Sequence, residues 1–327
     1  MDRYQQDDNL IRLARVPAYG KLNLGLRVLY KRPDGFHELR TVFQTISLAD
    51  RLEISWIPGR ITRVEIEGTP EIADNLVGRA ARLVLEALKV HGDARFKLKK
   101  NIPMGAGLGG GSSDAAAVLL ALPVLIGKPL SADRLLALAS RLGSDVPFFL
   151  HGGTALGLGR GEELYPLPDY PASNGILITP DIHSSTADAY NDLSMRLTSI
   201  SLQNKINSFQ QQVWRGGSEG QIAVDDNDFE EVVFARYPEL KHIKQRLRRA
   251  GAEPVAMTGS GSAIFGIFAD EEKADRAKKS FPDKTVFPIS FVSRAKYRSA
   301  WRRALHLHAE GTLWPPRSLH NRNPYAQ

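Results

Sequence analysis

The stretch PMGAGLGGGSSDAAA, Pro103 to Ala117, constrains this chain more than any other. Six of the seven residues from Gly105 to Gly111 are Gly or Ala, which lets the backbone reach positive φ and bring N–H groups close to a ligand. The glycines run straight into an alanine-rich segment that reads as a helix. A helix N-terminus presents unpaired N–H groups and the positive end of a dipole to an anion, and Ser112 and Ser113 add hydroxyls there. A flexible linker has no need to end on such a helix, so the loop reads as a phosphate cradle. It is not a Walker A loop, because no lysine follows the glycines. It matches G-x-G-x-x-G at Gly105, Gly107 and Gly110, but VLIGKPLSADRLLALA follows, a turn and a helix where a dinucleotide fold needs a strand ending in an acid.

The rest of the chain is consistent with a two-domain α+β protein. Its length of 327 residues suggests two domains. Residues 1–14 read as a loose leader. Strands are predicted over Ala18–Tyr30, Val42–Leu48, Arg51–Trp56, Arg95–Leu98, Thr154–Leu158, Gly175–Thr179, the AIFGIF segment and Val286–Val292, from alternation or short apolar runs. Helices are predicted after Asn75, as cap, from about Ser112 until Pro123 kinks or ends it, from Ser131 to Gly143, around Leu240–Leu247, and over 270–280. Residues 195–225 read as a long polar loop with some helix. No apolar run approaches the ~18 residues of a membrane span, the polar start does not resemble a signal peptide, and there are no cysteines. The expectation is a cytoplasmic protein with no membrane partner. The net charge of +7 does not argue for nucleic acid: residues 294–327 hold seven Lys/Arg against one Glu, so the remaining body is close to neutral.

Two further segments accompany the loop: AYGKLNLGL near the start and MTGSGSAIFGIF at 257–268. Together the three resemble the three motifs of the GHMP kinases, the superfamily of galactokinase, homoserine kinase and mevalonate kinase. RPDGFHEL and LGSDVPFFLHGGTALGLGRGEEL make the chain most similar to the branch that phosphorylates 4-diphosphocytidyl-2-C-methyl-D-erythritol. The resemblance runs in the right order over residues 16–293. It implies a ribosomal-S5-like N-terminal domain and a ferredoxin-like C-terminal domain with the active site between them. On that basis residues 1–157 form the ATP-binding domain, 158–295 the substrate domain, and 296–327 a basic extension. It also implies ATP with Mg²⁺ as phosphoryl donor, with Pro103, Met104, Gly105, Ala106, Gly107, Leu108, Gly109, Gly110, Gly111, Ser112 and Ser113 on the phosphates.

Asp145 matches the family's catalytic aspartate. A carboxylate within reach of the acceptor hydroxyl takes its proton, although by pattern alone Ser-Asp before Val-Pro is also ordinary turn chemistry. Lys21 sits among apolar neighbours, where an ammonium is expensive unless paired; Asp145 is the expected partner, and an edge-strand lysine pointing to water is the alternative. Asn23, two residues on, shares its face and matches a substrate-binding position. The resemblance further implies Phe36 and His37 on the cytosine, with Tyr190 as a second stacking ring beside Thr186 and His183. Asn75 and Lys100 match adenine-side contacts, while their own chemistry equally suits a helix cap and a solvated lysine. No residue pattern has metal-ligand spacing, so Mg²⁺ is expected to rest on phosphates and water.

Two rival functions are weighed: another GHMP kinase, acting on homoserine or a mevalonate-type acid, and a non-catalytic GHMP-fold binding protein. PDGFH argues against the first and the presence of both Lys21 and Asp145 against the second. A monomer or homodimer is expected. In KYRSAWRRALHLH, Tyr297, Trp301, Leu305 and His308 fall at helical spacing, which suits a helix docked on the body. The extension departs from the family pattern, so removing residues 296–327 is expected to spare the chemistry.

Overall fold

The computed structural model describes residues 11–69, 72–182, 184–195, 202–211 and 226–309. The first strand, β1 (Arg12–Lys31), is twenty residues long and lies antiparallel along β2 (His37–Pro58) over almost its whole length. The opposite edge of β2 carries β4 (Gly92–Lys99) at one end and β5 (Thr154–Leu158) at the other. An edge strand β3 (Arg63–Thr69) runs parallel to β4, and β6 (Glu163–Pro166) closes the far side. Helices α1 (Leu76–Leu88), α2 (Gly110–Ile126), α3 (Ala132–Leu142) and the short α4 (Phe148–His151) accompany this sheet. Val77, Ala81, Val118, Leu122, Phe96 and Ile54 are among the side chains of their common core.

The second sheet is antiparallel in the order β10-β7-β9-β8, from β7 (Asn174–Thr179), β8 (Val255–Met257), β9 (Ile264–Phe268) and β10 (Thr285–Ile289). Helix α5 (Thr186–Ser194), the helical residues 202–211 (α6), α7 (Phe229–Arg236), α8 (Pro238–Arg249) and α9 (Glu271–Lys279) complete this half. Strand alternation sorts its faces. Ile176 and Ile178 pack with the helix residues Leu240, Ile243 and Leu247, whereas Leu177 joins Leu22, Leu24, Ile46 and Leu108 of the first half. Both faces are thus buried, and the two halves meet along β1 and the glycine-rich loop. The first sheet continues through β6, past residue 157.

Several sequence expectations change here. The two strands at Val42–Leu48 and Arg51–Trp56 are one. Asp50 suggests a turn, but it is fully buried, and its carboxylate accepts the Asn101 and Ile102 N–H groups while its backbone stays in register with Ala18. Pro123 does not end α2, which runs on to Ile126 and is buried on all sides from Ser113 to Leu125; packing outweighs the lost hydrogen bond. Residues 12–14 are strand rather than leader, with Ala14 inside; residues 1–10 lie outside the described residues. β3, β6, β8, α5 and α7 were not legible, being short or, like RVEIEGT of β3, charged and exposed at an edge.

The C-terminal segment forms the docked helix that its spacing suggests. α10 (Arg294–Leu305) is part of the main core: Tyr297, Trp301 and Leu305 are buried against it, with Ser293 capping the helix. Three side chains of the extension are therefore core residues. The closing stretch from residue 310 lies outside the described residues. No described helix is long and apolar enough to cross a membrane.

Candidate active site

One cavity of about 730 Å³ opens between the two halves, lined by residues of β1, the loop after it, β2, the glycine-rich loop, α5 and the turn after β8. Lys21, Asn23, Phe36, His37, Gly107, Gly109, Asp145, Thr186 and Tyr190 all border it, so the expected catalytic pair, two loop glycines and the expected base-side residues meet in one place, while the rest of the glycine-rich loop, Asn75 and Lys100 are not among its lining residues. His183 lies outside the described residues.

At the inner end, alternation on β1 sends Lys21 and Asn23 to the same face. The Lys21 side chain is 4% exposed, and its Nζ donates to Asn23 Oδ1 at 2.5 Å and stands 3.5 Å from Asp145 Oδ2. Phe43 adds a ring face 5.5 Å from the ammonium. Asn23 is itself fixed: its Nδ2 donates to Thr41 Oγ1 at 2.8 Å, and Thr41 Oγ1 donates to Gly25 O. Asp145 keeps a third of its side chain open to the cavity. The result is a buried cation whose orientation is set by amide and carboxylate, with the carboxylate reachable by a ligand.

The glycine-rich loop abuts this corner. Lys21 N–H donates to Leu108 O, which ties β1 to the loop. Gly107 has φ of +78°, and a Cβ there would stand 2.2 Å from Thr258 O; the position admits only glycine. Thr258 Oγ1 accepts the Asn23 N–H at 3.0 Å and lies 3.3 Å from Gly107 O. All three glycine-marked motifs therefore touch at Thr258. The N–H groups of Gly110, Gly111 and Ser112 open the first turn of α2, and Ser113 Oγ is buried there without a partner. An orphaned hydroxyl and an open helix turn suit a phosphate oxygen.

Lys100 lies behind this loop rather than in the cavity. Its ammonium is bound by Asp50 and by Asp114 at 2.8 Å, all three being nearly inaccessible. Burial, together with the Asp50 charge, pushes the Asp114 carboxyl up to about 7 against the opposing pull of Lys100. Asn75 caps α1 through the Val77 N–H and borders a separate cavity beside β3. Met104 is exposed.

The outer end is built from side chains. The His37 ring stacks on Tyr190, centroids 4.7 Å apart and 23° between planes. Ser194 Oγ donates to Tyr190 O, so it accepts from His37 Nε2 at 2.6 Å. That places the proton on Nε2 and leaves Nδ1 as the ring's acceptor. Burial, helped by Lys31, lowers the pKa of His37, and burial plus the Asp145 charge raises that of Tyr190, so both are neutral near pH 7. Phe36 is half exposed, with the Arg160 guanidinium 4.7 Å from its ring centroid. Thr186 Oγ1 pairs with Ser260 Oγ at 2.8 Å, joining α5 to the turn after β8. Thr258, Arg160 and Thr41 were missed from sequence. Arg160 sits between two glycines in GLGRGEE, a signal for an exposed side chain on a tight turn; Thr258 lies within the quoted MTGSGSAIFGIF segment, and nothing local marks Thr41.

The GHMP kinases N terminal domain family matches residues 75–153, and the GHMP kinases C terminal family matches 216–285. A relative from Solibacter usitatus (strain Ellin6076), named 4-diphosphocytidyl-2-C-methyl-D-erythritol kinase, is 55% identical over 314 residues, covering 95% of this chain and 98% of its own. One of the same name from Moorella thermoacetica is 43% identical, covering 85% of this chain and 98% of its own. Among solved structures, a 4-(cytidine 5'-diphospho)-2C-methyl-D-erythritol kinase superposes with a TM-score of 0.71 at 37% identity, over 85% of this chain and 98% of that one. A homoserine kinase from Cytophaga hutchinsonii shares the fold at 21% identity and a TM-score of 0.67.

Proposed function

The chain belongs to the 4-diphosphocytidyl-2-C-methyl-D-erythritol kinases within the GHMP kinases, and on that premise we propose how its cavity works. It is an ATP-dependent kinase whose reaction moves the γ-phosphoryl group of ATP to the 2-hydroxyl of 4-diphosphocytidyl-2-C-methyl-D-erythritol, with the cytoplasm as its site of action. The triphosphate lies along Pro103–Ser113, on the open first turn of α2. The methylerythritol hydroxyl stands at the Lys21–Asp145 corner, and the cytosine occupies the slot of Phe36, His37 and Tyr190, near Thr186.

Each residue then has a role. The Asp145 carboxylate accepts the proton as the substrate oxygen bonds to phosphorus and the bond to the ADP oxygen breaks. Lys21, held by Asn23, orients that carboxylate and offsets charge on the transferred group. His37 Nδ1 accepts from the exocyclic amine of cytosine, and an aromatic ring suits its face. Among the described residues no group of three His, Asp or Glu side chains is placed to hold a metal. Mg²⁺ would rest on phosphates and water, with the Ser112 and Ser113 hydroxyls beside it, and would supply charge neutralisation of the phosphates.

The observation that carries this reading is the Lys21 ammonium, buried and 3.5 Å from Asp145, at the junction of the glycine-rich loop and the aromatic slot. The test is a coupled ADP-release assay with the cytidylyl substrate, homoserine and mevalonate. Turnover is expected with the first alone; turnover of either of the others at a comparable kcat/KM would overturn the substrate assignment.

A further inference from the structure

Helix α10 reaches the segment that carries Asp145. After Asp145 the chain makes α4, only four residues long, and turns at Gly152 and Gly153 into β5. A helix of one turn is not stable alone, and its C-terminal carbonyls lack internal partners. Gly152 N–H serves Phe148 O, and the Tyr297 hydroxyl of α10 serves Phe149 O. The Tyr297 ring packs against Gly152, where φ is +62° and a Cβ would stand 2.4 Å from Tyr297 Cγ. The phenol is 3% exposed, and burial holds its pKa above the ordinary value, so it remains a donor.

The same ring reaches the strand of Lys21. Tyr19, two residues before it, packs on Tyr297 with centroids 5.5 Å apart. Thr45 pairs with Lys21 in register, and three hydrogen bonds join it to Gly153: its N–H donates to Gly153 O at 3.0 Å, its Oγ1 accepts the Gly153 N–H at 3.0 Å, and its Oγ1 donates to Gly153 O at 3.3 Å. Thr45 O accepts from Val292 N–H, just before α10. Phe149 also supports the phosphate loop, since a Cβ on Gly109 would lie 2.8 Å from its Cζ and 3.2 Å from Lys21 Cγ. The two members of the acid–amine pair thus come from distant parts of the chain, and one clasp holds both supports.

We propose that Tyr297 is a positioning residue for phosphoryl transfer: through Phe149 O and Gly152 it fixes the segment 145–153, and with Thr45 it sets Asp145 at its distance from Lys21. This rests on the reading of Lys21 and Asp145 as the reacting pair. The C-terminal helix is then a structural part of the active site.

Tyr297→Phe in the full chain tests it, because the ring stays and only the hydroxyl goes. Displacing a catalytic group slightly is costly, so kcat should fall by ~10-fold with both KM values nearly unchanged. Hydrogen exchange at amides 149–153 should quicken by a similar factor of about 10. In an Asp145→Asn background the same change should cost less than about twofold more, since coupled groups are not additive. Leu305→Ala, at the far end of α10, should lower Tm more yet keep kcat at 25 °C. A normal kcat in Tyr297→Phe, an equal loss in Leu305→Ala, or full additivity with Asp145→Asn would overturn the proposal. In the unmodified chain, amides 149–153 should exchange as slowly as those of α2; exchange like an exposed loop would also overturn it, whether or not the variants fold. If Asp145→Asn is itself active, the catalytic reading fails; if it is inactive and Tyr297→Phe is normal, only the positioning role fails.

Discussion

The two ends of the cavity are built differently. The inner end is made of backbone and buried polar groups. Lys21, Asn23 and Thr258 are nearly inaccessible, each is bonded to another motif, and Gly107 and Thr258 touch with no room for a side chain. The outer end is made of rings at least partly open to solvent, engaged with one another: His37 on Tyr190, Arg160 on Phe36. Phosphoryl transfer depends on fixed distances, and preorganised groups pay no reorganisation when charge develops. Base recognition tolerates side chains that move aside, because stacking and one or two hydrogen bonds survive small displacements. The inner end is thus fixed by hydrogen bonds and close backbone contact, the outer end by side-chain stacking.

If that contrast holds, lesions should separate by end. Asp145→Asn and Lys21→Ala, at the inner end, should each lower kcat by ~10²-fold or more while ATP binding, measured by calorimetry, stays nearly intact. Near-normal turnover in either would refute the role assigned to that residue. Gly107→Ala strikes the same end through the backbone. A methyl 2.2 Å from Thr258 O at positive φ cannot be absorbed by a flexible side chain, so KM for ATP should rise by roughly 10-fold, as for a backbone shift near the reacting groups. An unchanged KM would mean that the loop does not carry the phosphates.

The smallest effect belongs to the outer end and depends on pH. Burial lowers the folded pKa of His37, so its ring stays mostly neutral as pH falls from 8 to about 6.5, the ordinary value for histidine. KM for the cytidylyl substrate should be flat over that range and rise only below it, when Nδ1 takes a proton and no longer accepts. The same shift destabilises the fold as pH drops through the ordinary value toward the lowered one, because the unfolded chain then binds the extra proton. A KM that changes between pH 8 and 7 would show that His37 titrates in solution-like surroundings and is not the acceptor.

Legibility in sequence followed the same division. The glycine-rich loop was readable because its chemistry is local: a run of glycines followed by a helix start offers N–H groups wherever it folds. Lys21 could be suspected from its apolar neighbours alone. Lys100 was ambiguous, since the sequence does not reveal that Asp50 and Asp114 converge on it beneath the loop. Tyr190 was singled out, but its present partner, His37, comes from the other half of the molecule.

From the order of residues alone came the glycine-rich loop and the helix it opens, the alternation of β1 that puts Lys21 and Asn23 on one face, the cap of α1 and the family. These depend on backbone geometry and on contacts within a few residues. Only the tertiary structure decided that β2 is unbroken through Asp50, that α2 continues past Pro123, that Thr258 joins three motifs, and that α10 docks beside the Asp145 segment. In each case the energy of burying apolar surface and pairing polar groups across long sequence separations exceeds the local preference, and no window of neighbouring residues contains both partners.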